Sequence, residues 1–357
     1  MAKEFVGLKL GASRINAARV SVNGSAEVVQ LASARLPQGL IVDGEVRQVE
    51  ALGEALKDFF KQHKLPKRNV RIGLANNRIG VRTIEISGIE DPKHLANAVR
   101  FRAQEALPIP IDEAVLDFQV LSETRAAEGV PPSARVLLVV AYRDLIAAYV
   151  EACKLAGIRL AGVDLEAFAL LRALTTQFEA QPGGGAERSA LVAVSIGSER
   201  SVLAVSDGYS CEYTRVLEWG GNALTDHVAR ALECEPEEAE RIKVGLGLQG
   251  DEVPEGVSPE RAVQAREALR VGLQGFGREL VSSLQFYQGQ PDSLGIRELV
   301  LAGGTAQLAG LATGLQQLVG VPVRVGDPMT GVSVGRKLKG ESPNPSFAVP
   351  IGLGMAV

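Results

Sequence analysis

The sequence predicts an α/β protein built as two related lobes that face one another. Three observations predict it. Phe5 to Val20, FVGLKLGASRINAARV, reads as strand, glycine turn, strand: Val6, Leu8 and Leu10 fall at strand spacing, Gly11 breaks the run, and Ile15 to Val20 resumes it. Leu191 to Val205, LVAVSIGSERSVLAV, repeats the pattern, with Ser195-Ile196-Gly197 over Lys9-Leu10-Gly11 and Arg200 over Arg14. Between the two copies, Gln181-Pro182-Gly183-Gly184-Gly185 has the composition of a flexible linker. Glycine turns of this kind expose backbone N–H groups and let a phosphate approach closely.

Composition narrows the classes of function. A chain of 357 residues with 46% hydrophobic and 22% charged residues has enough core for two or three globular domains. A net charge of −4 excludes a general nucleic-acid footprint, and an aromatic content of 4% argues against base-stacking surfaces. Cys153, Cys211 and Cys234 follow no metal or redox spacing and read as reduced thiols of a cytoplasmic protein. His63, His94 and His227 lie far apart and near no acidic cluster, so no metal ligand set is expected. No apolar run is long enough to span a bilayer, and the N-terminus lacks the features of a signal peptide.

The elements follow in order. Glu27 to Arg35 extends the first hairpin as a third strand, and Leu36 to Glu45 reads as an extended loop punctuated by Pro37, Gly39 and Gly44. Val49 to His63 is an amphipathic helix with Leu52, Leu56, Phe59 and Phe60 on one face, and Asn69 to Leu74 is a short buried strand. Val81 to Ser87 alternates as a strand. Asp91 and Pro92 open a helix that runs to Glu105. Val115 to Val120 and Val136 to Ala141 are strands separated by a soft loop from Glu123 to Ala134, and Arg143 to Gly157 is a helix. Ile158 to Asp164 returns to the main sheet, followed by a helix from Leu165 to Phe178.

In the second half, helices are expected from Asn222 to Leu232, from Pro236, and from Ser258 to Tyr287. Gly272, Gly275 and Gly277 argue against a coiled coil in the longest of these. Leu299 to Gly304 is a buried strand ending in a double glycine. A helix from Ala306 to Leu318, a strand from Val323 to Val325 and an apolar closing helix from Phe347 to Met355 complete the chain. The expected domains are a first lobe over 1–77 continued by 158–180, an inserted strand-helix-strand-strand subdomain over 78–157, and a linker over 181–189. The second lobe follows over 190–357, with a helical subdomain about 222–290.

Several stretches carry a more specific pattern. They are Gly7-Leu8-x-Leu10-Gly11, Leu36-Pro37-x-Gly39-Leu40-Ile41-x-Asp43-Gly44, and Leu107-Pro108-Ile109-Pro110-Ile111-Asp112-Glu113 followed by Val115-Leu116-Asp117-Phe118. Val163-Asp164-Leu165-Glu166, Gly220-Gly221 with Leu224-Thr225, Ala239-Glu240-x-x-Lys243 and Leu301-Ala302-Gly303-Gly304 add to it. Together, from Val6 to Gly354, they resemble the actin-like (ribonuclease H-like) superfamily, and within it the PilM family of type IV pilus assembly proteins; the cell-division protein FtsA is similar in architecture.

The resemblance implies a nucleotide cleft between the lobes. Lys9, Gly11 and Ser13 take the place of its first phosphate loop, and Ser195, Gly197 and Ser198 that of the second. Glu240 and Lys243 match positions facing ribose and adenine, and Gly303 and Gly304 match the adenosine-binding turn. On residue type alone, Glu240 and Lys243 read equally as a helical i,i+3 ion pair, and the glycines as turns required to build the hairpins.

The resemblance makes ATP the cofactor to consider, yet the sequence departs from the family of active ATPases where an aspartate stands in each phosphate loop. Here those positions hold Lys9 and Ser195, and Asn16 follows the first loop. Mg²⁺ loses its hard oxygen ligands there, and no catalytic residue is assigned. Glu199 is a stand-in carboxylate beside the second loop. Lys9 has two open readings: it binds phosphate directly as a point charge, or it pairs with a nearby carboxylate.

The function implied is a non-enzymatic scaffold; the alternative is an actin-like ATP-binding protein or weak ATPase of the pilus or cell-division type. Such a scaffold sits at the cytoplasmic face of the inner membrane, holds the N-terminal tail of a PilN-like membrane protein, and links it to other pilus platform components and motor ATPases. The chain has no amphipathic tail after Ala356, so attachment through a partner rather than direct membrane insertion is expected, and homo-oligomerisation stays open. Arg78 to Ile86 and Pro108 to Asp117, with Tyr142 to Ile146 nearby, are the candidate tail-binding segments. The residues singled out are Arg82, Ile84, Ile86, Pro108, Ile109, Pro110, Leu116 and Phe118; the alternative for each is ordinary core and surface of the subdomain.

Overall fold

In the computed structural model of the chain the described residues are 2–88, 92–106, 110–124, 131–175, 189–250, 253–291, 293–340 and 344–356. The first sheet begins as an antiparallel meander of β1 (Lys3–Leu10), β2 (Arg14–Asn23) and β3 (Ser25–Arg35). A small hairpin of β4 (Ile41–Val42) and β5 (Glu45–Val46) follows, turning at Asp43 and Gly44 with φ of 51° and 63°. An Asp-Gly pair is suited to that left-handed turn. The stretch that reads as an extended loop therefore contains a tight turn, and that turn reaches the interlobe cleft.

Helix α1 (Val49–His63) buries Leu52, Leu56, Phe59 and Phe60 against one face of the sheet. β6 (Val70–Leu74) then lies parallel to β1. A three-stranded sheet interrupts the lobe, formed by β7 (Ile79–Ser87), β8 (Ala114–Thr124) and β9 (Ser133–Tyr142) in the order β7-β9-β8. Helix α2 (Pro92–Ala106) covers it, with Leu95, Val99 and Ala103 packed on Ile86, Val136, Leu138 and Val140.

Helix α3 (Arg143–Leu155) corrects one expectation. The sequence reading puts it in the inserted subdomain, yet Leu145, Tyr149, Ala152 and Cys153 pack into the first-lobe core with Phe59 and Phe60. Its apolar stripe is matched to α1 and not to the three-stranded sheet. β10 (Leu160–Leu165) adds parallel to β6, and α4 (Glu166–Leu174) leads out of it.

The second lobe repeats the design. β11 (Ser189–Ile196), β12 (Ser201–Ser206) and β13 (Cys211–Leu217) form its meander. Helices α5 (Gly221–Leu232), α6 (Pro236–Leu246) and α7 (Pro259–Gln288) follow. The glycines of α7 include a point of close approach: an added Cβ at Gly277 would lie 2.7 Å from Leu318. β14 (Gly295–Ala302), α8 (Leu311–Val319) and β15 (Val323–Val325) complete a five-stranded sheet in the order β13-β12-β11-β14-β15. β11 is buried almost throughout, as a strand with both faces covered must be.

The last segment is a second correction. The expected second lobe extends to the C-terminus, but β16 (Ser333–Val334) pairs with β3 in the first sheet. Helix α9 (Ala348–Met355) lies on β1, β2 and α4. The reason is steric as well as apolar. An added Cβ at Gly7 would lie 1.9 Å from Pro350 O, and one at Gly352 1.8 Å from Ala169 O, so small residues let the helix settle directly on the strand and on α4. The lobes share an apolar seam in which Leu170 and Leu174 of α4 meet Leu191, Val202 and Val300 of the second sheet and Leu353 of α9.

Candidate functional site in the interlobe cleft

The two glycine hairpins meet at the mouth of a cleft of about 510 Å³ between the lobes. Lys9 comes from the end of β1, Gly11 and Ser13 from the β1–β2 turn, Gly197 and Ser198 from the β11–β12 turn, Glu240 and Lys243 from α6, and Gly303 and Gly304 from the end of β14; all of them line it. Ser195 lies just beneath, in an adjoining pocket that it shares with Lys9, Gly11, Gly197, Ser198 and Glu166. Residues up to about 300 positions apart in the sequence thus converge on one surface. Gly303 has φ of 87°, and a Cβ there would sit 2.3 Å from Ile196 O, so the strand crossing itself demands glycine.

Both lysines of the cleft are engaged within the chain. Lys9 Nζ pairs with Glu166 Oε2 at 2.9 Å, with the side chains 14% and 8% exposed. It also donates to Ser195 Oγ at 3.3 Å across the cleft. The carboxylate comes from the first turn of α4, where the helix N-terminus adds favourable charge. Sequence spacing offered no sign of this partner, because Glu166 is distant in the chain and only the parallel pairing of β10, β6 and β1 brings it beside Lys9. Lys243 pairs with Glu240 as an i,i+3 bridge, and it also donates to Thr225 Oγ1 at 2.8 Å and Gly221 O at 3.0 Å. Lys243 is buried while the Glu240 side chain stays half exposed to the cleft.

A divalent metal finds little to hold it on this floor. The two hairpins present the Lys9 ammonium and the Ser195 hydroxyl, and Glu166, the buried carboxylate among the described residues, is already engaged by Lys9. Among the described residues no group of three or more His, Cys, Asp or Glu is placed to hold a metal ion. The residues present do not fit Mg²⁺.

Other contacts span the cleft. Ser13 Oγ donates to Ser198 Oγ at 3.0 Å. Arg200 Nη1 donates to Ala75 O at 2.9 Å, and Asp43 N donates to Glu199 Oε2 at 3.3 Å. Glu199 therefore holds the β4–β5 turn. Asn16, the residue after the first loop, accepts from Ser33 Oγ at 2.7 Å.

The candidate partner residues divide differently. Ile86 lies in the core of the inserted subdomain under α2, and Ile84, Leu116 and Phe118 are half-buried against that core. Arg82 and Pro110 are exposed, and Pro108 and Ile109 lie outside the described residues. The opposite face of the same sheet turns toward the first lobe. There Ile79 and Val81 line a groove of about 160 Å³ with Leu74, Leu165, Arg215 and Val216. Strands β7 and β13, both sheet edges, flank it. Asn77 to Glu218 (2.8 Å) and Arg135 to Glu212 (2.7 Å) bridge its two ends.

Two lobes with repeated glycine hairpins around a cleft, one of them interrupted by a small sheet, define an actin-like fold. The profile described as "Type IV pilus assembly protein PilM" matches residues 7–357. The chain belongs to that family. It is 25% identical to the cell division protein FtsA of Escherichia coli (strain K12), over 92% of this chain and 84% of FtsA. Among solved structures, the PilM-PilN type IV pilus biogenesis complex superposes with a TM-score of 0.81 at 26% identity, covering 99% of this chain and 98% of that one. MreB5 of Spiroplasma citri bound to AMPPNP superposes with a TM-score of 0.55 at 13% identity, covering 98% of this chain and 94% of that one, which speaks to the fold alone.

Proposed function

We propose that the chain is a cytoplasmic scaffold of the type IV pilus inner-membrane platform that binds the N-terminal tail of a PilN-like membrane protein. The observation that carries this reading is the end-to-end likeness to a PilM-PilN complex, in a chain that matches the PilM family throughout. Among the described residues no helix is long and apolar enough to cross a membrane. Other platform components and motor ATPases are the further partners that this role calls for.

The nucleotide site is read as degenerate, with no ATP hydrolysis. Lys9 and Ser195 replace the carboxylates that hydrolysis requires, and Lys9 is committed to Glu166. A second reading, ATP binding without turnover, draws its support from the size of the cleft and the half-exposed Glu240.

For the tail, the groove lined by Ile79, Val81, Arg215 and Val216 is the favoured surface: it is open, combines apolar side chains with polar ones such as Asn77 and Thr214, and is flanked by the edge strands of two sheets, which suit an extended segment. Calorimetry with a synthetic tail peptide tests it. Binding should be weakened at least about tenfold by Val81→Asp, as expected for loss of an anchoring apolar contact. Phe101→Ser on the exposed face of α2 should leave binding unchanged. Absence of heat with a folded wild-type sample would remove the proposal's support.

A further inference from the structure

The misfit between this cleft and a metal-bound nucleotide has a structural counterpart. Lys9 stands on the first-lobe strand β1, Glu166 on the first turn of α4, and Ser195 near the end of the second-lobe strand β11. One ammonium joins all three, at 2.9 Å to Glu166 and 3.3 Å to Ser195. Ser195 is 2% exposed, so the contact lies at the base of the cleft and not at its rim. The hairpin tips close above it through Ser13 and Ser198, and the back is held by Arg200 on Ala75 O.

We infer that Lys9, Glu166 and Ser195 form a built-in staple that holds the two lobes closed, so that the closed arrangement of this chain does not depend on Mg·nucleotide. The charge count supports it. Lys9 and Glu166 neutralise one another in a largely buried setting, where removing either member leaves the other uncompensated. A divalent cation entering this site would face the ammonium directly. It could recruit Glu166 only by leaving Lys9 without its partner. In a cleft whose closure depends on a ligand, the ligand supplies the charge that both lobes grasp. Here Lys9 supplies that charge from within the chain, and Ser195 is the group in the opposite lobe that receives it. Beneath the staple the apolar seam of α4, α9 and the second sheet gives the closed state a continuous floor.

This inference goes beyond tail binding: its failure leaves the scaffold reading standing, and failure of tail binding leaves the staple standing. The test is amide hydrogen exchange on the full chain, read at peptides covering 10–13 and 196–199. Wild-type exchange should be the same with and without ATP and Mg²⁺. Lys9→Met should raise exchange in both hairpins by about tenfold or more, as expected when a local opening equilibrium is released. The charge-exchanged pair Lys9→Glu with Glu166→Lys should bring it back toward wild type. Ser195→Ala, which keeps the ion pair and removes the contact between lobes, should raise exchange in the hairpins and gives the same reading if Lys9→Met does not fold. Slowed exchange of the wild type on adding Mg·ATP would overturn the inference, and so would a Ser195→Ala protein that exchanges like wild type.

Discussion

Lys9 shows how much a single side chain decides. Its ammonium and the Glu166 carboxylate are both largely withdrawn from water, so removing one leaves the other buried and unpaired. Lys9→Met should therefore lower stability by about 3 kcal/mol or more in a denaturant titration. At the cysteines, burial pushes the Cys153 and Cys211 thiols up to about 12, which keeps them protonated at neutral pH. Iodoacetamide should label Cys234, the partly exposed thiol, well before the other two, and mass spectrometry reads the order. On the surface, the Arg78 guanidinium donates twice to Asp144 at 2.8 Å and holds that carboxyl below the usual carboxylate range. A lowered folded-state value means that the bridge contributes in full above the ordinary aspartate range and is lost as pH falls through the lowered value. The difference in Tm between wild type and Asp144→Asn should thus be small near neutrality and vanish in acid. Which lysine meets which carboxylate was not legible in the sequence: Glu166 stands in a recognisable motif, but its pairing depends on strand order.

Elements were legible where their pattern was local. The β1–β2 and β11–β12 hairpins, α1 and α7 follow from apolar spacing and glycine position, and the structure has them at the expected places. What was not legible is which core an element joins. The spacing of apolar residues in helix α3 gives a stripe but not the neighbour it meets, and its contact with α1 assigns it to the first lobe. Helix α9 is apolar all round, so its sequence could not say which lobe it would close. Its docking relies on small residues where backbone meets backbone. Gly352→Ala should force α9 away from Ala169 and cost about 1–3 kcal/mol, the range for overpacking a tight contact, measured by thermal unfolding. Ile84 and Phe118, among the candidate partner residues, are apolar side chains on strands, and strand alternation alone does not say which face a covering helix will take.

For the whole molecule, two lobes are tied at several levels: an apolar seam below, the Lys9 contact at the base of the cleft, and hairpin and turn contacts around it. The clamp geometry was foreseeable from the repeated hairpin, and all the cleft residues named from the resemblance do converge. As a scaffold, the chain would use that rigidity to present the groove beside β7 and β13 to a membrane protein's tail. Vesicle co-sedimentation measures this most directly: the purified chain is spun with a reconstituted full-length PilN-like protein, with the same protein lacking its cytoplasmic tail, and with bare vesicles. The chain should sediment only with vesicles that display the tail, with or without ATP. Equal sedimentation with bare vesicles, or none with the intact partner, would contradict the scaffold role.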